Sequence, residues 1–523
     1  MRPVVRVVFG AALVVCAGAT VVLARRERSG PVHGDLEIAG GLPATLYLPE
    51  QPVPGSSMLP APRPRGERPP AVVLVHGFAA DRVLMSSLAR RLAESGYAVL
   101  AIDVRGHGGN HNPVPDGRAR PDWLSEDLSA AVGYLRSSPY VDGSRLALVG
   151  HSMGAAGVLD FATRDSGIDG VVAISGAQTL LGPYRPPNVL LLFASGDPAG
   201  LQGREAALAA QLAGVDSAAD RETYGDLAHG EAVRLEEVPG VNHLSIVFSP
   251  SAGSRIVQWL DGVFRLDRPS APPSDLADPR LAPFAVAMSG ALVLLAGVGF
   301  ACGRLAPGLA ARPARGAGLG FVSLGAGLLV AMAVLSVGVP ARFLSLEVGD
   351  VVVSLFAIAG GLLLCASALR GSPIPVRELR LALVPGAVGF AGIYLLLAPV
   401  GVVGHRTTPS AERLCVAVVA ALLLLPFFLA FEAALRRGGL LRATLLGVGG
   451  RVLVIAAIML GIALGVVPPV VRLMVPLLVI LSALFEVFAS GVYAASGNWL
   501  VIVVTESAWL AWLVAIVFPL RAV

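Results

Sequence analysis

From about residue 283 to its end the chain is a succession of apolar stretches long enough to cross a bilayer. They lie near 283–303, 317–339, 351–369, 381–403, 414–435, 452–471, 473–494 and 500–520. A segment of about 20 apolar residues reads as a spanning helix, because hydrocarbon offers no partner to a backbone N–H or C=O and the helix satisfies both internally. Some eight such stretches in a row predict an all-α polytopic membrane domain over 281–523. The whole chain agrees: 55% of its residues are hydrophobic and 15% charged, with a mean hydropathy of +0.72, which is wrong for a purely soluble protein.

A ninth apolar stretch opens the chain. Residues 7–24 carry no charge and have arginines on both flanks, so residues 1–28 read as an N-terminal signal-anchor helix. Ala17-Gly18-Ala19 offers a signal-peptidase site, but "TVVLA" continues the apolar run past it and favours an uncleaved anchor. Arginines then set the expected orientation. Three connections between the later spans hold Arg304, Arg312 and Arg315; Arg370, Arg377 and Arg380; and Arg436, Arg437 and Arg442. The alternating connections hold Arg342, then Arg406 and Arg413, then Arg472. The richer side belongs in the cytoplasm, which places the polar segment 29–280 outside it; Arg25, Arg26 and Arg28 after the first span argue the other way.

Segment 29–280 has a different periodicity. The runs "AVVLVHGF", "YAVLAIDVRG", "RLALVGHS", "GVVAISG" and "NVLLLFASGD" alternate with stretches of helical spacing at roughly 82–95, 123–137, 153–164 and 202–213. Continuously apolar strands separated by helices predict an α/β domain, a mostly parallel sheet with helices on both faces. The Pro-rich "PEQPVPGSSMLPAPRPRGERPP" has no apolar period and is expected to be a surface loop.

Within this segment Gly150-His151-Ser152-Met153-Gly154 fits G-x-S-x-G at the passage from the strand "RLALV" to the helix "GAAGVLDFAT". Such a turn is too tight for side chains beside the serine and pushes the Ser152 oxygen clear of the sheet. A serine hydroxyl needs a base, and the base an orienting acid. Asp197 in "NVLLLFASGDPAG" and His243 in "EEVPGVNHLSIVF" follow in the order Ser, Asp, His; Asp226 and His229 are the alternatives.

Over roughly residues 33–265 the chain resembles the α/β-hydrolase family. His76-Gly77-Phe78 stands where that family has its oxyanion turn, and Asp103-Val104-Arg105-Gly106-His107-Gly108 is similar to its D-x-RGHG loop. The resemblance implies an esterase- or lipase-like serine hydrolase with Ser152, Asp197 and His243 as its catalytic residues. It also implies an oxyanion hole from the backbone N–H groups of Phe78 and Met153, and supporting roles for His76, Gly77, Gly150 and Gly154. His76 and His107 are similar to the family's structural loop histidines, and His151 occupies a variable position. Only 45 residues separate Ser152 from Asp197, too few for a large cap, so an open site is expected unless "GNHNPVPDGRARPDW", the Pro-rich segment or the membrane covers it.

The expected substrate is a small-molecule or lipid ester and the expected surroundings a bilayer. Acyl transfer to a lipid or glycan, peptide cleavage, and a transporter or receptor with a ligand-binding hydrolase-like domain are the alternatives. No basic stripe interleaved with aromatics points to nucleic acid. Cys16, Cys302, Cys365 and Cys415 sit in apolar runs without CxxC spacing, and no metal or other cofactor is expected. Segment 281–523 shows no Walker motif, HExxH or histidine cluster. Glu486 and Glu506 fall inside predicted spans and are expected to be paired, protonated or facing a polar cavity. Glu432 is less telling, because Arg436 stands one turn away near the expected interface.

Overall fold

The computed structural model describes residues 3–50, 60–117, 119–177, 184–267, 277–306, 320–338, 342–369 and 378–522. Residues 51–59 of the Pro-rich segment lie outside them, as do Arg312, Arg315, Arg370 and Arg377.

Helix α1 (Pro3–Arg28) leads into a nine-stranded sheet. Its strands are β1 (His33–Ile38), β2 (Leu42–Tyr47), β3 (Pro70–Val75), β4 (Ala98–Ile102), β5 (Asp142–His151), β6 (Gly170–Ile174), β7 (Val189–Ala194), β8 (Thr223–Tyr224) and β9 (Val233–Val238). They lie in the order β1-β2-β4-β3-β5-β6-β7-β9-β8. The run from β4 to β9 is parallel, while β1, β2 and β8 join antiparallel at the two edges. Every residue of β3, β4, β6 and β7 is buried, as a sheet covered on both faces requires. Helices α3 (Arg120–Ser137) and α4 (Met153–Ala162) cover one face with Trp123, Leu128 and Phe161. Helices α2 (Ser86–Glu94) and α6 (Pro250–Val263) cover the other with Leu88, Trp259 and Leu260. Helix α5 (Ala199–Ala213) packs beside β7 and β9. The parallel α/β sheet read from the sequence is present; the edge strands were not anticipated.

The helical half comprises α7 (Leu281–Leu305), α8 (Phe321–Ser336), α9 (Gly349–Leu369), α10 (Leu379–Leu396), the single turn α11 (Val400–Val403), α12 (Ala411–Leu435), α13 (Leu440–Ala463), α14 (Val475–Ser496) and α15 (Leu500–Val517). Eight helices among the described residues, α1 included, are long and apolar enough to cross a membrane; α8, with 16 residues, is shorter. Two boundaries differ from the sequence reading. The stretch 381–403 is interrupted between α10 and α11 beside Pro399. The stretch expected to begin at 452 begins at Leu440, and the helix carries Arg451 in its middle.

The reason is a buried ion network. Arg451 donates from Nη2 to Glu506 Oε1 at 2.5 Å and from Nε to Glu486 Oε2 at 3.1 Å. Arg436 donates to both oxygens of Glu486, at 2.6 and 2.8 Å, and to Glu432 at 2.6 Å. Neutralised in this way, Arg451 does not end the helix. Glu432 is fully buried and joins the network through Arg436.

The two halves meet on one edge of the sheet, at the loops that follow β3 and β4. Arg406 N–H donates to Asp81 at 2.6 Å, Arg413 Nη2 to the Gly106 carbonyl at 2.5 Å, and Arg120 to Glu347 at 3.1 Å. The last described residues join this contact: Leu520 N–H donates to Gly106 O, Val114 N–H to Leu520 O, and Ala522 N–H to Val114 O, each at 2.8 Å. Leu520 is also bridged to Leu346, so 519–522 lies between the two halves. On the α2 side, fully buried Arg280 ties Asp278, Glu27 and Ser86 together.

Candidate active site

Strands β3, β5 and β6 end nearly in register, with Val75 opposite Gly150 and His151 opposite Ile174, and β7 runs two residues further. Their carboxyl ends therefore project side chains into one crevice, the usual ligand position of an open α/β sheet. At the end of β5 the chain turns sharply: Ser152 has φ 53° and ψ −114°. A non-glycine residue held there costs about 1–3 kcal/mol and persists only where its surroundings fix it. A Cβ on Gly154 would come within 2.6 Å of the Val75 and His76 carbonyls, and one on Gly150 within 2.3 Å of Gly154 O. Those two glycines let α4 start directly against β3. Gly77 is close too, since a Cβ there would lie 3.0 Å from His151 Nδ1.

Three of the predicted side chains meet in this crevice. Ser152 Oγ stands 3.0 Å from His243 Nε2, and His243 Nδ1 stands 2.7 Å from Asp197 Oδ1. Asp197 Oδ2 accepts from Ser175 Oγ at 2.6 Å and from the Ala194 N–H at 2.9 Å. Burial opposes the Asp197 charge, but the bonds from His243, Ser175 and Ala194 outweigh it and hold the carboxyl below its usual range. The hydrogen-bonding order fixes the tautomer: an ionised Asp197 accepts the Nδ1 proton and leaves Nε2 free to accept from Ser152. Asp226 and His229 instead bond each other at 2.7 Å in an exposed turn.

The remaining predicted residues surround this trio. The N–H of Phe78 makes no hydrogen bond to a described residue, and that of Met153 is the first in α4, where a helix leaves its amides without internal partners. His76 is buried; its Nδ1 donates to Gly77 O at 2.7 Å and its Nε2 accepts from Val104 N–H at 3.3 Å. Burial lowers its pKa, and does so more strongly for His107. His151, which the sequence reading left without a role, donates from Nε2 to the His243 carbonyl at 2.8 Å. Burial and the neighbouring His243 push its pKa down to about 3, so it stays neutral and anchors the His243 loop.

The sequence reading missed three supports. Ser175 bonds Asp197 from a positive φ of 53°. Gly176 packs on the turn at Ser152, where a Cβ would fall 2.1 Å from Ser152 O. Glu205, on α5, is fully buried; its Oε1 accepts the Ala177 N–H at 2.8 Å and its Oε2 has no partner among the described residues. The Ser-Gly that ends the buried strand "GVVAISG" was the available signal for the first two.

Burial raises the Glu205 pKa to about 7, against the opposing Ala177 and Gly176 amides. The folded state therefore holds a proton that the unfolded chain releases near pH 4.5. Stability from this group is full below pH 4.5, falls as pH rises toward 7, and is level beyond. Glu205→Gln is expected to match the wild type near pH 4.5 and to exceed it above pH 7 by on the order of 3 kcal/mol. Thermal unfolding in one detergent across that range checks the sign; curves that stay parallel contradict it.

The sheet and the strained turn at the end of β5 form an α/β-hydrolase-like fold. Residues 66–196 match the family model described as serine aminopeptidase, S33. An uncharacterised protein of Mycobacterium tuberculosis is 39% identical over 95 residues, 18% of this chain and 32% of that protein. Cutinase 2 of Thermobifida cellulosilytica is 35% identical over 99 residues, 18% of this chain and 34% of that protein. The chain thus spans about a third of the length of these curated relatives. Among solved structures, the esterase of Pyrobaculum calidifontis is similar, with 17% identity, 51% of this chain and 99% of that chain covered, and a TM-score of 0.32. The ferulic acid esterase of Streptomyces cinnamoneus has 20% identity, with 46% and 92% covered and a TM-score of 0.33.

Proposed function

We propose that this protein is a membrane-bound serine hydrolase that cleaves carboxylic esters. The observation that carries the reading is the unbroken hydrogen-bonded series Ser152, His243, Asp197 at a strained strand-to-helix turn. Ser152 Oγ attacks the acyl carbon as His243 Nε2 takes its proton, and Asp197 stabilises the imidazolium. The amides of Phe78 and Met153 receive the developing oxyanion, each worth about 3 kcal/mol in such a role. His243 returns the proton to the leaving alcohol, and a water deprotonated by the same imidazole releases the acid.

The cutinases among the relatives support an ester substrate. The family model, described as an aminopeptidase, favours amide cleavage as the second reading. Helix lengths and hydropathy support an anchor at 1–28 and a membrane domain at 281–523, flanking the hydrolase domain at 29–280. The hydrolase-facing connections, around Arg342 and Arg406, are the arginine-poor ones, which supports an extracytoplasmic hydrolase domain. The full-length protein, assayed against p-nitrophenyl esters of increasing chain length and aminoacyl p-nitroanilides, is expected to cleave the esters faster. Turnover confined to the anilides overturns the ester reading in favour of a peptidase.

A further inference from the structure

A cavity lies inside the helical half, among α9, α12, α13, α14 and α15. Its volume is about 140 Å³, close to that of an apolar cavity that stays dry and takes up benzene, and room for a short run of methylenes. Of the side chains that line it, only Arg451 and Ser482 carry polar nitrogen or oxygen, and Arg451 is committed to Glu486 and Glu506. Such a wall rejects water and charged or hydrogen-bonding ligands and accepts hydrocarbon. Leu477, 39% exposed on the outer surface of α14, also lines it, so the cavity communicates with the surroundings of the helices.

The other end of the cavity points toward the hydrolase. It is formed in part by Phe518, whose carbonyl accepts from Arg413 Nη1 at 2.9 Å; the same guanidinium holds Gly106 O. Two residues on, Leu520 pairs with Gly106 and Val114 in the loop after β4. The ring of His107 lies 5.8 Å from that of Phe78, which itself packs against the core of the helical half. Residues 518–520 and the loop at 104–107 thus link the cavity wall to the Phe78 turn.

We propose that this cavity takes up a segment of the hydrocarbon chain of a bilayer-resident ester, whose acyl group Ser152 attacks at the junction of the two halves. The inference rests on the ester-hydrolase reading and assigns to it a substrate class: long-chain esters that stay in the membrane. Its test uses full-length protein reconstituted in phosphatidylcholine vesicles, with umbelliferyl oleate and umbelliferyl butyrate as substrates. Ser482→Trp, which fills the cavity from α14, is expected to lower the oleate-to-butyrate ratio of kcat/KM by about tenfold or more. An unchanged ratio, with fluorophosphonate labelling of Ser152 preserved, overturns the proposal.

A second measurement does not depend on turnover or on the variant folding. A diazirine-bearing fatty acyl ester, photolysed in wild-type vesicles, is expected to crosslink to cavity-lining residues of α13, α14 and α15. Crosslinks confined to outward-facing positions such as Leu445 or Val452 overturn the proposal. Crosslinks in the cavity of a protein that cleaves neither ester and takes no fluorophosphonate retain the lipid site and overturn the hydrolase reading instead.

Discussion

Ser152→Ala is expected to abolish fluorophosphonate labelling of the full-length protein and to lower kcat on a short-chain ester by at least about 10⁴-fold. The loss is this large because the serine and histidine act as one unit: without Oγ, the base at 3.0 Å has nothing to activate. The fold survives the change, since alanine at φ 53° meets the same backbone strain as serine. Ser152→Gly goes further, because glycine adopts that φ freely; it is expected to be equally inactive yet more stable than the wild type by about 1 kcal/mol. Equal labelling of wild type and Ser152→Ala removes Ser152 from the mechanism. Loss of labelling with a collapsed unfolding midpoint assigns it a structural role.

Arg451→Met is expected to destabilise the helical half by about 3–5 kcal/mol, seen as a lower unfolding temperature in the same detergent. The methionine fills the space of the arginine stem but leaves Glu506 without its partner and Glu486 with one partner fewer, all inside an apolar bundle. Breaking one side of a buried ion pair costs more than removing both sides. Adding Glu506→Gln to Arg451→Met should therefore recover part of the loss, and a double variant no better than the single one argues against the pairing as the cause.

The two halves of the molecule were legible to different degrees. Chemistry dictated Gly150-His151-Ser152-Met153-Gly154, and the order Ser, Asp, His selected Asp197 and His243, which the structure brings together. Residues that support them from other elements left weaker signals. Glu205 sits in the helical pattern "GREAALAAQ", where nothing local marks it as facing inward; only the packing of α5 against the β6 loop buries it. Strand β1, with its half-exposed "HGDLEI", lacks the long apolar run that revealed the central strands, although Gly40 and Gly41, both at positive φ, mark the hairpin to β2. In the helical half, hydropathy located the helices but misplaced the start of α13. A charge reads as a boundary until its partners are known, and those of Arg451 lie on two other helices.

The segment around Leu520 gives the α/β half an order of assembly. The loop after β4, which adjoins the His76-Gly77-Phe78 turn, takes its backbone partner from residues synthesised roughly 400 positions later, after the described helices of the helical half. The sheet can form early, but the Gly106–Val114 loop gains these partners only once the segment after α15 has been made. Chain order thus acts as a timer, leaving this loop unpaired in nascent chains whose helical half is still incomplete.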